Sequence, residues 1–350
     1  MSITYHERPG VYSDFDASSV TASGSGTKSV ALAALSSAAA GLYTVTDYAA
    51  GAAVFGADSQ LGKMLKLAFA NGAAAVLACP VAADAAADYG AAFDLIFAAR
   101  TARLCAIGSA AEDVQKLLRD RVDAAAQQKG ECVGLAGMSE PTDSALIARA
   151  AVLNDERMVL VGPDVCLPGE AGWGGGCMAA AALAGALAAQ SDPALPLNGQ
   201  TLSGLSGVSE SVSDAALDGL IRGGVTMLEL TGGKVSVIRG ITTRTTTGGA
   251  ADKTWRELNT ILIVDDVIPA VRDSLRAKFA RSKNNAATRG AIRSQVIVEL
   301  EDRVTKEIID GYDSVTATAD AEDPTVCRVS FGMSVTHGLN RIYLTAHISV

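Results

Sequence analysis

Histidine is nearly missing from this chain. Its three imidazoles, His6, His337 and His347, all lie near the two termini, and none falls between Glu7 and Thr336. The long middle of the chain therefore has no Ser-His-Asp or Cys-His arrangement and no histidine metal site of its own. Cysteine is sparse and scattered: Cys79, Cys105, Cys132, Cys166, Cys177 and Cys327 include no C-x-x-C pair. Neither a zinc site nor a disulfide framework is expected, and the thiols read as small buried hydrophobes in a reducing compartment. Aromatic residues are only 5% of the chain, which leaves no platform for stacking bases or sugars. Although 49% of residues are hydrophobic, no run of eighteen or more lacks polar interruption, so no membrane insertion is expected. A basic segment followed by an apolar block is also lacking at the start, so no secretory signal is expected and synthesis is placed in the cytoplasm.

Excess positive charge is lacking too, since the formal net charge is −9. From Ile241 onward basic and acidic residues balance, so the excess negative charge sits in the first part of the chain. Within the neutral last part, Arg272, Arg276, Lys278, Arg281, Lys283, Arg289 and Arg293 stand against a single Asp273. An acidic chain poor in aromatics is not expected to bind nucleic acid, and this local basic stretch reads either as a solvated face or as a surface for an acidic protein.

The clearest pattern lies at the end. Cys327, Val329, Phe331, Met333 and Val335 alternate with polar residues or glycine, and after a turn-like stretch at 337–340 the apolar set becomes Ile342, Leu344, Ala346, Ile348 and Val350. Each run reads as a half-buried strand, the second one in need of a partner. Residues 1–28 read as an extended arm: Ile3 and Tyr5 alternate with polar residues, Val11, Tyr12 and Phe15 follow Pro9-Gly10, and a Ser/Thr/Gly linker closes it. Twenty extended residues reach roughly 66–72 Å, enough to cross to another subunit.

Between these ends, residues 29–240 read as an α/β body with a parallel or mixed sheet and flanking helices. Strands are expected at 30–35, 42–46, 74–79, 104–107, 132–136 and 158–161, and helices at 59–70, 85–100, 112–128 and 142–154. A small-residue helix at 177–190, a helix at 213–223 with Ser213 as its N-cap, and a hairpin turning at Thr231-Gly232-Gly233 complete the body. Residues 241–350 read as an α+β assembly module with 340–350 as an arm strand. Its expected parts are strands at 241–247 and 258–264, and a helix opened by Asp265 and Asp266 with Pro269 in its first turn. Val267, Val271, Leu275 and Phe279 would be that helix's buried face. A second helix at 286–305 and a strand at 315–319 precede the closing strands.

Two glycine-rich stretches invite comparison with phosphate-binding loops. Residues 21–29, TASGSGTKS, fail: Thr27 and Ala22 stand where that motif needs glycine. Gly174, Gly176 and Ala179 satisfy G-x-G-x-x-A ahead of a helix, with Asp192 beyond, but the preceding strand ends near Val161, too early for a tight strand-to-helix turn. This loop carries the alternative reading, a cytosolic α/β enzyme with a nucleotide cofactor. The acidic pairs Asp14 with Asp16, and Glu299, Glu301 and Asp302, read as solvation of an arm and of a helix face.

Taken in order, these parts resemble the sheath proteins of contractile phage tails and of R-type bacteriocins. Arg8-Pro9-Gly10-Val11-Tyr12 is similar to the opening arm of that family. Thr44-Val45-Thr46-Asp47, Phe55-Gly56 and Phe69-Ala70-Asn71-Gly72 resemble its first βα unit. Gly224-Val225, the run from Val237 through Arg244, the apolar stretch 259–266 leading into a helix, and the alternating closing strands follow in the family's order. The resemblance implies a non-enzymatic structural subunit without a cofactor, which polymerises with copies of itself around a tail tube and contracts to drive that tube through a cell envelope. It implies tube, baseplate and tail-terminator proteins as partners, and a subunit made in the host cytoplasm and assembled into a virion tail or bacteriocin particle. Strand exchange between subunits would use Ile3, Tyr5, Val11, Tyr12 and Phe15 at one end and Ile342, Leu344, Ala346 and Ile348 at the other. Arg272, Arg276 and Lys283, which share one helix edge, would face the tube. The region called subtilisin-like for its fold in larger members would here lack a working triad, because the body has no histidine, and the short chain would lack their outer domains.

Overall fold

Ser29–Leu35 (β1) is buried on both faces and is an inner strand of an eight-stranded sheet. The computed structural model describes residues 28–346 except 140, 171, 211 and 343. After β1 come Tyr43–Val45 (β2), Tyr48–Phe55 (α1), Gln60–Ala70 (α2), Val76–Val81 (β3), Ala86–Ala98 (α3) and Ala102–Ile107 (β4). Glu112–Gln127 (α4), Val133–Gly137 (β5), Asp143–Leu153 (α5), Met158–Gly162 (β6), Val165–Cys166 (β7) and Gly176–Ala189 (α6) follow. Gly207–Val208 (β8), Asp214–Arg222 (α7), Val225–Thr231 (β9) and Lys234–Val237 (β10) end this part of the chain.

The sheet order is β10-β9-β6-β5-β4-β1-β3-β2. Its six inner strands run parallel, and β2 and β10 pair antiparallel at the two edges. Parallel strands need a crossover between them, and the helices of those crossovers cover both faces. Val30, Leu32 and Ala34 pack with Leu61, Met64 and Leu65 of α2 and with the alanines of α6. Ala31 and Ala33 pack on the other side with Tyr89, Phe93 and Ile96 of α3 and Val114 and Leu118 of α4. Helix α6 is buried on every side, which explains its run of small residues. A Cβ on Gly185 would sit 2.3 Å from the Ala68 carbonyl oxygen of α2, so glycine there lets two helices approach closely. The expected α/β class, a mixed sheet with flanking helices, is the observed one. Ser213 does cap its helix, accepting from the Ala216 amide at 3.5 Å, and the β9–β10 turn places Gly232 and Gly233 at φ 59° and 76°, which suits glycine.

Three details of the C-terminal part differ from the sequence expectation. Residues 241–247 do not form one strand: Ile241 makes an isolated antiparallel bridge to Glu257, and Thr246–Thr247 (β11) pairs with Ala250–Ala251 (β12). Thr242 and Thr243 are buried and donate their hydroxyls to the carbonyls of Trp255 and Asp155, so their side chains tie down a loop instead of lining a ladder. The apolar run 258–264 is helical as well. Helix α8 spans Leu258–Phe279 without a break, which puts Pro269 in its interior and not in its first turn. Leu258, Ile261, Leu262 and Val264 belong to the body core, while Ile263, Val267, Val271 and Leu275 belong to a separate C-terminal core. A helix buried against two partners is apolar all round, and over seven residues such a run has no period to distinguish it from a strand. The chain closes with Ala286–Thr305 (α9) and the antiparallel pair Ile309–Ala319 (β13) and Cys327–Val335 (β14), the former longer than expected and bulged between Asp313 and Thr316.

Candidate assembly interface

The alternation in β14 puts Val329, Phe331, Met333 and Val335 toward α8 and α9, beside buried Ile309 and Val315 of β13. The opposite face carries Arg328, Ser330 and Ser334, all exposed. Among the described residues, β13 and β14 pair only with each other. Each therefore presents an outer edge whose backbone donors and acceptors are available to another strand. The sheet is held to its helices by polar ties as well: Arg293 of α9 donates to the Val315 carbonyl at 2.7 Å, and Asn284 donates to the carbonyls of Pro324 and Val326 at 2.8 and 2.9 Å.

Helix α8 joins this module to the body through buried charge. Arg157, beside the start of β6, donates through Nη1 and Nη2 to the two carboxylate oxygens of Asp265 at 2.6 and 2.8 Å. Both side chains are buried, 3% and 10% exposed. Burial opposes the charge on Arg157, but Asp265 outweighs it and holds the guanidinium above its ordinary pKa. About two turns further along, Arg272 pairs with Glu131, which Arg103 also contacts. Burial works against the Glu131 carboxylate, yet its hydrogen bond from Arg272 keeps its pKa below the usual range.

This arrangement divides the residues expected on one basic edge. Arg272 is only 7% exposed and faces the body, so helical spacing alone misplaced it. Its partner Glu131 is 141 residues away in sequence, and no local pattern signals that contact. Arg276, in the last turn of α8 where the helix dipole favours cations, is exposed, as is Lys283 beyond the helix end.

Of the expected strand-exchange residues, Ile342 and Leu344 are 79% and 90% exposed. Ala346 is also exposed, and the described residues from 336 to 346 form no strand. Ile348 and the N-terminal Ile3, Tyr5, Val11, Tyr12 and Phe15 lie outside the described residues. Lys28, where the description begins, donates to the carbonyls of Gln190 at 2.9 Å and Leu187 at 3.4 Å, tying the start of β1 to the C-terminal end of α6.

The loop of the alternative reading lines an open crevice of about 310 Å³. It lies at the carboxyl ends of the parallel strands, where β1 is flanked by strands reached in opposite directions, the usual place for a ligand in such a sheet. Its side chains include Gln60, Asp84, Ser139, Asp164, Trp173 and Cys177, and no lysine or arginine is among them. Burial, with Asp164 nearby, pushes the Cys177 thiol up to about 11. Two carboxylates and a protonated thiol do not suit a pyrophosphate. Among the described residues, no helix is long and apolar enough to cross a membrane.

Among curated proteins, no sequence matches significantly. A family model for the phage tail sheath C-terminal domain matches residues 250–349. Solved structures match over nearly the whole chain. The contracted helical sheath of the anti-feeding prophage superposes with a TM-score of 0.74 at 18% identity, covering 99% of this chain and 100% of the other. A sheath tail protein from Desulfitobacterium hafniense gives 0.71 at 13% identity, covering 97% and 100%. The contracted sheath complex PVC, from an extracellular contractile injection system, gives 0.71 at 16% identity, covering 99% of both chains. Residues 250–349 are thus similar to the phage tail sheath C-terminal domain, on a chain with the fold of contractile sheath proteins.

Proposed function

We propose that the chain is the structural subunit of a contractile tail sheath, which polymerises with copies of itself around a tail tube and shortens to drive the tube forward. The observation that carries this reading is the two-stranded sheet of the sheath C-terminal domain. Both its edges are open among the described residues, and exposed apolar residues of a tail lie a few positions beyond it. Adding strands from neighbouring copies would pair those edges through the backbone, with alternating side chains setting register. Ile342, Leu344, Ala346 and Ile348 at one end, and Ile3, Tyr5, Val11, Tyr12 and Phe15 at the other, are the residues assigned to exchange. The tube protein would meet the exposed cations Arg276 and Lys283, with Arg272 acting behind them as an anchor to the body. Baseplate and tail-terminator proteins would cap the polymer, and the particle, a virion tail or a bacteriocin, would be assembled in the host cytoplasm. The role is mechanical and needs neither catalysis nor a cofactor.

Negative-stain microscopy of the purified chain tests this reading. Hollow tubes or short stacked rings are expected. Deleting residues 1–19 should leave a folded subunit that no longer polymerises. A full-length chain that stays monomeric under all assembly conditions and binds nucleotide would overturn the proposal in favour of the α/β enzyme.

A further inference from the structure

After β14 the chain does not leave directly from its own module. Thr336 is still tied to it, its hydroxyl donating to Asp310 at 2.8 Å. The next residues run over a loop of the body. The Asn198 amide donates to the Asn340 side-chain oxygen at 2.8 Å and to the Leu339 carbonyl at 3.4 Å. Gly338 abuts Pro196 so closely that a Cβ there would come within 2.8 Å of the proline ring. Arg341 then lies 3.6 Å from Asp218 of α7. Only a space of about 20 Å³, room for a single water, remains between this segment, the loop and the start of α8.

The loop is itself fixed from several sides. Asn259 of α8 donates to the carbonyls of Pro193 and Leu195 at 2.9 and 2.7 Å. The Gly199 amide donates to Val237 of β10 at 2.8 Å. Leu197 is 2% exposed, so its side chain roots the loop in the body core.

We infer that the body loop around Pro196 and Asn198 is the positioning device for the C-terminal strand: it clamps residues 338–341, so that the segment donated to a second copy of this chain begins at Ile342. This inference rests on the sheath reading above. Contact, not exposure, marks that boundary: Leu339 is already 71% exposed although its carbonyl is held, and the Arg341–Asp218 contact is followed by Ile342 and Leu344, 79% and 90% exposed. The consequence is geometric. Holding the chain as far as Arg341 instead of releasing it at Thr336 takes six residues out of the free arm, about 20 Å of reach. The clamp therefore sets how far away, and in what direction from the body, the receiving sheet edge must be.

The test uses the full chain with three variants. Asn198→Ala removes the body's side of the clamp and Gly338→Val wedges the arm's side against Pro196. Ile342→Asp/Leu344→Asp disables donation without touching the clamp. Both clamp variants should melt within a degree or two of the wild type as monomers. They should form at least fivefold fewer tubes at equal concentration, or tubes with a broadened axial repeat, while the aspartate variant forms none. Clamp variants that match the wild type in tube number and axial repeat would overturn the inference while leaving the sheath reading intact. If the wild type itself makes no tubes, the sheath reading fails first. Should Asn198→Ala lose its fold, Gly338→Val, which leaves the body loop unaltered, decides the question.

Discussion

Replacing Asp265 with alanine is expected to cost far more than any surface charge in this protein. The Arg157 guanidinium is 3% exposed, and in the variant it would keep only a hydrogen bond of 3.4 Å to the Cys132 carbonyl among its assigned partners. Leaving one member of a buried ion pair uncompensated costs about 3–5 kcal/mol. A Coulomb estimate at an effective dielectric of about 20 gives about 4 kcal/mol for charges 4 Å apart, the same order. By contrast, the exposed pair of Lys116 and Glu112, with side chains 42% and 44% exposed, is solvated and screened, and its removal should hardly move the urea midpoint. The double variant Arg157→Met/Asp265→Leu should recover most of the loss, because the pair lies between two apolar cores and hydrophobic replacements leave no charge unpaired. Urea denaturation under conditions that keep the chain monomeric measures both effects, with an unchanged slope confirming that the same surface unfolds. The reasoning is refuted if Asp265→Ala costs less than about 1 kcal/mol, or if the double variant is as unstable as the single one.

Asp155 supplies a pH prediction of opposite sense to the usual carboxylate. Burial, then the neighbouring charges of Asp123 and Glu156, push its carboxyl up to about 8; its stabilising contribution is complete below the unfolded value of about 4 and is lost as pH rises toward 8. Asp155→Asn keeps the acceptor for the Arg157 amide, at 2.7 Å in the wild type, so it should stabilise the monomer by at least about 1–2 kcal/mol more at pH 9 than at pH 4, read from urea midpoints. Reversing Arg276 and Lys283 together to glutamate should leave the monomer's melting temperature unchanged and weaken co-assembly with an acidic tube protein. Unchanged co-sedimentation with tube would count against a tube-facing role.

The parallel core was legible because each of its strands is a short apolar run between helices of regular length, and that pattern survives without knowledge of contacts. Boundaries at α2, α4 and α9 fall within a residue of the expected ones for the same reason. Helix α1 was not legible: YAAGAAVF has small residues on every side and no periodic face. What stops the eye in α8 is a different matter. Its first turns carry apolar residues for two cores at once, so the pattern that defines an amphipathic helix is erased where the helix matters most. In the candidate interface, strand β14 could be read from alternation alone, whereas the burial of Arg272 and the clamp on Gly338 depend on Glu131 and Pro196, each more than a hundred residues away. Such contacts are set by the tertiary fold, and no local spacing encodes them.

The double membership of α8 bears on how a sheath made from this chain would move. A strand added to the edge of β13 or β14 pulls on a sheet whose inner face is packed onto α8 and α9. Helix α8 passes the load on without a linker, since its first turns belong to the body core. Pro269 lies where the two cores meet and has no amide proton to bond the Asp265 carbonyl, so this is the one place where the helix itself is weak. The buried pairs of Arg157 with Asp265 and Arg272 with Glu131 stand on either side of that residue. Bending at Pro269 would separate charges that have a tenth or less of their surface exposed, at a cost of several kcal/mol. The described segment beyond Arg341 crosses no such barrier, because Ile342 and Leu344 are 79% and 90% exposed. On the sheath reading, body and module therefore turn as one block, and the change in shape between neighbours is expected in the segment beyond Arg341.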